Sequence, residues 1–340
     1  MATIYDIAKL SQTSVATVSY VLNGHGDERR ISKATQERVL AAAERINYRP
    51  NITARQLKST VNPDIRIAAF WPGFYFEQSL VSAMRAVNAV SRASTENIEV
   101  SVHFFTPGLL NEYWENFSPL NYNGILLAGA SLDDLEFISS RHSPVPLVLT
   151  NRNHEFFPYV TINHTSAGRM ACDLAYENGG SSICTVWDTR FHVATNLRRT
   201  AFMERCSELG IDLNSTSFSC EGSSQDGYKL GMSLVQKKQL ERVLYCNNES
   251  VARGLITAFN ESGIRVGKDL LLLSANNGPD SFFRYITPSV TAIDLRLQEV
   301  FELALKKLLS IIVHNESAEN GTTIQPRIVY RETLPEKGNS

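Results

Sequence analysis

Long hydrophobic runs are missing from this 340-residue sequence: no uninterrupted apolar stretch approaches the roughly 20 residues that cross a bilayer. The N-terminus also lacks the basic region followed by an apolar stretch that marks a secretory signal. Cysteine is scarce, since the chain has five, with no C-x-x-C pair, and an odd number cannot all pair within one chain. We therefore expect a cytoplasmic protein with reduced thiols and no membrane partner.

Signatures of catalysis and metal binding are missing as well. The sequence contains no G-x-x-x-x-G-K-[ST], G-x-S-x-G or H-E-x-x-H motif, and no G-x-G-x-x-G opens a helix. Its seven histidines are dispersed without the spacing of metal ligands, so we interpret each as a surface or loop residue. We expect neither enzymatic activity nor a cofactor or metal.

What is present is an uneven distribution of charge. Residues 1–60 contain nine basic and five acidic residues, whereas the remaining 280 contain 24 basic and 30 acidic residues. A small basic head on a larger acidic body indicates that the head meets a polyanion while the body has another task. A solvated surface explains the same excess equally well, so the charge alone does not decide.

Caps and apolar spacing predict three short helices in the first 50 residues. A capping box at Thr3 begins the first helix, Ser14 caps the second, and Ser32 caps a third that closes at 48–50. Two short helices joined by a tight turn form a helix-turn-helix unit. An ordinary three-helix bundle remains the alternative.

The second of these helices has an outer face suited to DNA. Val15, Ala16 and Tyr20 lie on its exposed side, where the N-terminal half of a recognition helix meets base edges in the major groove. Short polar side chains nearby can donate to phosphates and fix the register: Ser14, Thr17, Ser19 and Asn23.

In combination these segments resemble the headpiece of the LacI/GalR family of bacterial transcription regulators. The resemblance rests on TIYDIA at 3–8, SVATVSYVLN at 14–23 and YRPN at 48–51. It implies that Val15, Ala16 and Tyr20 read bases and that the DNA backbone is contacted by Thr3, Tyr5, Ser14, Thr17, Ser19, Asn23 and Asn51. It further implies a hinge helix over 51–58 that folds on operator DNA, with Leu57 wedged into the central base step.

Beyond residue 62 buried strands alternate with amphipathic helices, a pattern typical of parallel sheets covered on both faces. The strands are predicted at 65–71, 100–105, 124–128, 147–150, 182–187, 243–246 and 270–275. About ten strands in all favour two doubly wound α/β lobes with ligand in the cleft between them, which resembles the periplasmic-binding-protein-like core of the same family.

These predictions divide the chain into a helix-turn-helix domain (1–49), a hinge (50–62) and an effector-binding and dimerisation domain (63–340). The N-terminal lobe is expected at about 63–160 and 290–322, and the C-terminal lobe at about 161–289 and 323–335. By family resemblance, the dimer contact is expected on the helix at 77–93 and after Arg284.

The effector site follows the family pattern only in part. Arg198 occupies the position of a ligand-contacting arginine in R-x-x-G-F, although Ala201 replaces the glycine. A surface salt bridge is the alternative for this arginine. Five more effector contacts are predicted at strand ends: Phe74, Tyr75, Thr150, Asn248 and Asn276.

Amides or neutral groups stand at several positions where the family has carboxylates, as at Asn248 and Asn276. This fits a sugar held by amides, an anionic ligand such as a sugar phosphate, or a lost ligand site.

The sequence thus predicts a dimeric DNA-binding repressor that binds a palindromic operator and responds to a carbohydrate-like effector. A cytoplasmic binding protein with a vestigial headpiece is the alternative. An enzyme of unknown type is a third hypothesis, and the absence of catalytic motifs argues against it. The charged C-terminal segment has no leucine heptad, which argues against a tetramerising extension.

Overall fold

The structure is a computed structural model that describes residues 4–22, 26–46, 65–73, 77–116, 118–119, 121–141, 143–190, 193–276, 282–315 and 320–336. Some predicted functional residues lie outside the described residues: Thr3, Asn23, Phe74, Tyr75, and Asn51 and Leu57 of the hinge segment 50–62. Within the described ranges, no helix has the length and apolar character needed to cross a membrane.

The described residues form ten α-helices, numbered here in chain order. They are α1 Ile4–Ser11, α2 Val15–Leu22, α3 Lys33–Arg45, α4 Glu77–Ala93, α5 Leu132–Ser139, α6 His164–Gly179, α7 Val193–Glu208, α8 Ser224–Gln236, α9 Glu249–Glu261 and α10 Leu297–His314. Two short 3-10 helices cover Leu110–Asn116 and Phe282–Arg284.

The same part of the chain forms twelve strands. They are β1 Ile65–Pro72, β2 Ile98–Phe105, β3 Gly124–Ala128, β4 Leu147–Thr150, β5 Tyr159–Ile162, β6 Ile183–Asp188, β7 Ser217–Cys220, β8 Val243–Cys246, β9 Leu271–Asn276, β10 Thr291–Asp294, β11 Gly321–Ile324 and β12 Arg327–Val329.

Helices α1, α2 and α3 form a small headpiece around their own core. Ile7, Val18 and Val39 are fully buried there, and Val21 is nearly so. The predicted cap of α2 is confirmed, because the backbone N–H of Thr17 donates to Ser14 Oγ at 3.0 Å.

Two six-stranded sheets make up the rest of the described chain. The N-terminal lobe has the strand order β11-β5-β4-β3-β1-β2, and every adjacent pair is parallel. The C-terminal lobe has the order β12-β10-β9-β8-β6-β7, in which only β12 is antiparallel to its neighbour. The predicted fold class is therefore confirmed: a helical headpiece followed by two doubly wound α/β lobes.

Central strands are buried on both faces, which explains their near-continuous apolar sequences. All five residues of β3 are buried, as are all four of β4 and β8. Helices cover these faces: α4 and α10 pack against each other in the N-terminal lobe, and α6 packs against α7 in the C-terminal lobe.

The chain passes between the lobes three times, after β5, after β10 and after β11. These crossings are hydrogen-bonded to one another. The backbone N–H of Asn163 donates to the carbonyl of Ile324 at 2.9 Å, and Arg296 Nη1 donates to the carbonyl of Gln325 at 3.1 Å. The three crossings therefore form one hinge, beside the carboxyl ends of strands from both sheets.

Candidate DNA-binding and effector sites

Helix α2 presents two of the three predicted base-reading residues to solvent. Val18 and Val21 face the headpiece core, whereas Ala16 and Tyr20 are exposed and Val15 is half-buried against that core. Ser14 is exposed at the start of the helix, and Thr17 and Ser19 are half-exposed. The outer face of α2 is thus small and apolar at its N-terminal end, with hydroxyl groups beside it, as major-groove reading of thymine methyl groups requires.

Two tyrosines and one arginine surround this face. Tyr5 on α1 is 70% exposed, so its ring has almost no role in the headpiece core. The guanidinium of Arg29 lies 4.7 Å from the centroid of the Tyr20 ring. That contact orients Arg29, which lies between α2 and α3, beside the outer face of α2. The segment between the two helices therefore carries a positive charge that would attract a DNA phosphate.

The second candidate site lies where the two lobes meet, beside the first crossing. Thr150 ends β4, and its Oγ1 atom is buried without a hydrogen-bond partner among the described residues. Asn151 follows in the left-handed region, with φ of 59°, which turns the chain sharply at the edge of the sheet. A buried hydroxyl without a partner is uncommon in folded proteins and is satisfied when a ligand or water occupies the space beside it.

A chain of hydrogen bonds links the two lobes here. Arg198 on α7 is buried, and its Nη1 lies 3.1 Å from His164 Nδ1. The Nε2 of His164 lies 2.9 Å from Asn151 Oδ1. Arg198 Nη2 also donates to Thr195 Oγ1 at 3.2 Å. The guanidinium of the C-terminal lobe is therefore connected to the end of β4 in the N-terminal lobe through one imidazole.

The protonation state of His164 follows from its neighbours. Burial lowers the pKa of His164 well below its usual range, and the positive charges of Arg198 and Arg152 lower it further. An arginine can only donate, so Nδ1 accepts from Arg198 and the single proton of the neutral ring sits on Nε2, where it is donated to Asn151. Both ring nitrogens are thereby used.

Arg152 adds a second buried cation to this cluster. It is 4% exposed, and its Nε and Nη1 donate to the carbonyls of Ala130 at 2.6 Å and Asn151 at 2.7 Å. Carbonyl oxygens hold the guanidinium in place without neutralising it. The N-terminal side of the cleft is therefore electropositive and rich in donors, which suits hydroxyl or anionic oxygen atoms.

On the C-terminal side a carboxylate is already neutralised. Asp188, at the end of β6, accepts from Arg190 Nη2 at 2.9 Å and from Asn248 Nδ2 at 2.7 Å. Asn248 also caps α9, since its Oδ1 accepts from the backbone N–H groups of Ser250 and Val251. Both ends of the Asn248 amide are thus engaged within the protein.

Asn247, the residue before Asn248, differs from it in hydrogen bonding. Asn247 is 5% exposed; its Oδ1 accepts from the backbone N–H of Asp188, while its Nδ2 has no hydrogen-bond partner in the described part of the chain. Asn247 and Thr150 therefore each hold a buried polar atom that can still bind a ligand. Nothing in the pattern of the sequence distinguished Asn247 from Asn248, because the difference depends on which amide caps the helix.

The last of the predicted effector contacts within the described residues is Asn276. Asn276 ends β9, and its backbone pairs in register with Asp294 of β10. Trp71, near the end of β1, is buried, with its ring 5.0 Å from Phe301 of α10. Trp71 is thus part of the core of the N-terminal lobe.

Two sequence interpretations are wrong at this site. His164 is 5% exposed and holds two hydrogen bonds, so it is not a surface or loop histidine. Arg198 is 7% exposed and bonded to His164, so the surface salt bridge considered for it is also excluded. The position of His164 directly after the end of a strand was the available signal, because strand ends of both sheets border the cleft.

Comparison with known proteins matches both parts of the chain. A family model described as "Bacterial regulatory proteins, lacI family" matches residues 3–51, and one described as "Periplasmic binding protein-like domain" matches residues 173–334. The "HTH-type transcriptional repressor PurR" of Mannheimia succiniciproducens is 25% identical over 344 residues, covering 98% of this chain and 99% of that protein.

Solved structures share the fold. The lac repressor dimer bound to operator and the anti-inducer ONPF matches with a TM-score of 0.69 at 19% identity, covering 98% of this chain and 99% of that one. A LacI family transcriptional regulator from Enterococcus faecium with bound ribose matches with a TM-score of 0.67 at 18% identity, covering 80% of this chain and 100% of that one.

Proposed function

Because the chain belongs to the lacI family of bacterial regulatory proteins, we propose that it is a transcriptional repressor that binds a palindromic operator and responds to a small molecule. The observation that carries the proposal is the outer face of α2, where Ala16 and Tyr20 are exposed beside a helix start capped by Ser14. In this function α2 enters the major groove, and Val15, Ala16 and Tyr20 read base edges.

The DNA backbone contacts proposed from the sequence complete this half-site. Tyr5, Ser14, Thr17 and Ser19 are at least partly exposed on α1 and α2, as phosphate contacts must be. Thr3, Asn23, Asn51 and the wedge residue Leu57 remain proposals on the family resemblance alone.

A palindromic operator requires a dimer, and we propose that α4 contributes to its interface. Val81 and Met84 are 42% and 40% exposed on the outer face of this helix, on the side opposite its contact with the lobe core. The lac repressor structure, which shares the fold, is a dimer on operator.

The effector is proposed to be a sugar or sugar derivative bound between the lobes. The Enterococcus faecium structure of the same fold contains ribose. In the present chain Thr150 Oγ1 and Asn247 Nδ2 are the buried polar atoms available for hydroxyl groups, and Arg198 with Arg152 supplies positive charge. Bound ligand would alter the hinge angle between the lobes and thereby the DNA-binding competence of the dimer. Asn248, next to Asn247 in the chain, stays in the proposed site, and Asn276 remains a proposal on the family resemblance alone.

We further propose that the protein acts in the cytoplasm and catalyses no reaction. The relatives named above are transcriptional regulators.

The first experiment selects duplexes from a random DNA pool with the full-length chain at near-physiological salt. The proposal predicts enrichment of one near-palindromic sequence with a flexible central step, whose affinity falls steeply with salt. If weak binding without an enriched sequence persists in the presence of a metabolite extract, the headpiece does not read DNA and the proposal fails.

A second experiment tests the effector site separately. A panel of aldoses, sugar acids and sugar phosphates is screened at millimolar concentration for a rise in the melting temperature of the full-length chain. Thr150→Val removes a hydroxyl without a protein partner, so the variant should be as stable as the parent and lose the response to a stabilising sugar. Equal responses in parent and variant would remove Thr150 from the site.

A further inference from the structure

Two of the five cysteines lie side by side between neighbouring helices of the C-terminal lobe. Cys172 on α6 and Cys206 on α7 are 0% and 1% exposed, and their Sγ atoms are 3.3 Å apart. A disulfide needs about 2.0 Å between the sulfurs, so an approach of roughly 1.3 Å would suffice. No proposed role of the protein uses this pair.

Close packing and ion pairs hold the two helices in this register. A Cβ at Gly168 would collide with the carbonyl oxygen of Arg198, so glycine permits α7 to approach α6. Beyond the cysteines, Arg205 Nε donates to Asp173 Oδ1 at 2.6 Å, and Arg169 donates from both Nη atoms to Glu208 at 2.7 Å. The pair therefore lies near a tight backbone contact and near surface ion pairs that connect the same two helices.

The two thiols are not equivalent. A hydrogen bond from the Cys172 thiol lowers the pKa of Cys206, while that bond and burial raise the pKa of Cys172. Burial raises the pKa of Cys184 to about 12 and that of Cys220 to about 11. Because the thiolate is the reactive form, Cys206 is the cysteine set up to react first.

Cys206 also borders the surface. It lines a groove at the end of α7 together with Arg199, Met203, Ser207, Gly210 and Ile211. A small neutral oxidant would approach the buried Cys206 through this groove, and Arg199 supplies positive charge to its wall. The other member of the pair, Cys172, lies behind Cys206 within hydrogen-bond distance.

We propose that Cys172 and Cys206 form an oxidation site at which a hydroperoxide converts the two thiols into a disulfide. The Cys206 thiolate attacks one peroxide oxygen, the O–O bond breaks, and a sulfenic acid and hydroxide result. Hydroxide takes the proton of Cys172, whose thiolate then attacks the Cys206 sulfur. The S–S bond forms, the S–O bond breaks, and the departing hydroxide becomes water by taking from solvent the proton that Cys206 released when it ionised.

This disulfide would form in the α6–α7 interface, which also contains the Arg198–His164 bond of the proposed effector site. His164 and Arg198, which are hydrogen-bonded, each precede one of the cysteines by eight residues. At 1.5 Å per residue the two contacts are about 12 Å apart along the helices. Oxidation would therefore lock α6 to α7 two turns from the Arg198–His164 bond, a mode of control distinct from effector and DNA binding.

The test uses the full-length chain, fully reduced and then treated briefly with stoichiometric hydrogen peroxide. Remaining thiols are blocked with N-ethylmaleimide in denaturant, and the intact mass is measured. The reduced chain should take five adducts, one per cysteine, and the oxidised chain three. Cleavage after Arg, Lys and Glu should release residues 170–177 joined to residues 206–208, a product that dithiothreitol separates.

Matched variants identify the reacting pair. Cys206→Ser and Cys172→Ser should each abolish the linked fragment, whereas Cys220→Ser, which removes a half-exposed cysteine, should leave it unchanged. The proposal is overturned if the parent chain retains five adducts, if the linked fragments contain another cysteine, or if the link joins two chains. The fragment from the parent chain decides the question even where a serine variant fails to fold.

Discussion

The functional side chains are exposed to solvent in the headpiece but buried in the cleft between the lobes. In the headpiece, Ala16 and Tyr20 are exposed and a separate apolar core holds the helices. In the cleft, Arg198 and His164 are themselves buried, and His164 connects the C-terminal lobe to Asn151 of the N-terminal lobe. Substitutions should therefore change DNA binding alone in the first region, but stability and ligand response together in the second.

The largest effect is expected when a carboxylate is introduced on the outer face of α2. Ala16→Glu should weaken binding to the selected operator at least about 1,000-fold, or ~4 kcal/mol, because it opposes phosphates and base acceptors in the groove. Binding is measured by fluorescence anisotropy. The free energy of unfolding should change by less than about 0.5 kcal/mol, because Ala16 is exposed.

Ala41→Glu is the matched control, since Ala41 is an exposed alanine on α3 of the same headpiece. It adds the same charge and should weaken binding only a few-fold. Equal losses from both variants would mean that net charge, and not the face of α2, determines affinity.

Removal of the buried guanidinium should produce the largest stability loss in the cleft. Arg198→Ala leaves His164 Nδ1 and Thr195 Oγ1 without their donor, which should cost about 3 kcal/mol in urea unfolding. Arg199→Ala, at the exposed neighbouring position, should cost less than about 1 kcal/mol. Similar losses for the two variants would contradict the role of Arg198 in holding His164.

An added methyl group should disturb the same interface somewhat less. Gly168→Ala puts a Cβ against the carbonyl oxygen of Arg198 and should cost about 2 kcal/mol through overpacking. Thr165→Ala, at an exposed position on the same helix, is the control and should be nearly neutral. Unchanged stability in Gly168→Ala would show that α6 and α7 are less tightly packed than described.

The smallest expected effect depends on pH. The pKa of His164 is lowered in the folded protein, so below about pH 6.5 the unfolded chain binds a proton that the folded chain does not. Stability should therefore fall by about 1 kcal/mol between pH 7.5 and 5.5 through this group. In His164→Gln the loss of stability over this pH range should be smaller by about 1 kcal/mol. If the free energy of unfolding depends on pH in the same way in parent and variant, His164 is not a buried neutral histidine.

Local patterns account for what could be predicted in the headpiece. The Ser14 cap involves a residue three positions away, and the buried valines of α2 recur at helical spacing. Apolar runs in the sequence likewise predicted several central strands, and β3, β4 and β8 have the predicted bounds. By contrast, five strands escaped prediction. The edge strands β7, β11 and β12 are only partly buried and lack an apolar run, and β5 and β10 are four-residue strands that contain Thr or Asp.

The cleft could be predicted only as a location. Its contacts join distant residues: His164 and Arg198 are 34 positions apart, and Asp188 and Asn248 are 60 apart. Which asparagine caps α9, and which keeps a free amide nitrogen, depends on how β6 and β8 meet. No periodicity in the sequence carries that information, so Asn247 and His164 emerged only with the structure.

The most direct test of the account asks whether the outer face of α2 determines the DNA sequence. Duplexes are selected from one random pool by the parent chain and by a variant in which Val15 and Ala16 are replaced with Ser and Gln, which removes the apolar contacts. The account predicts a palindrome in both selections, with unchanged half-site spacing and different bases at the positions that these residues face. Recovery of the same sequence by both proteins would contradict it.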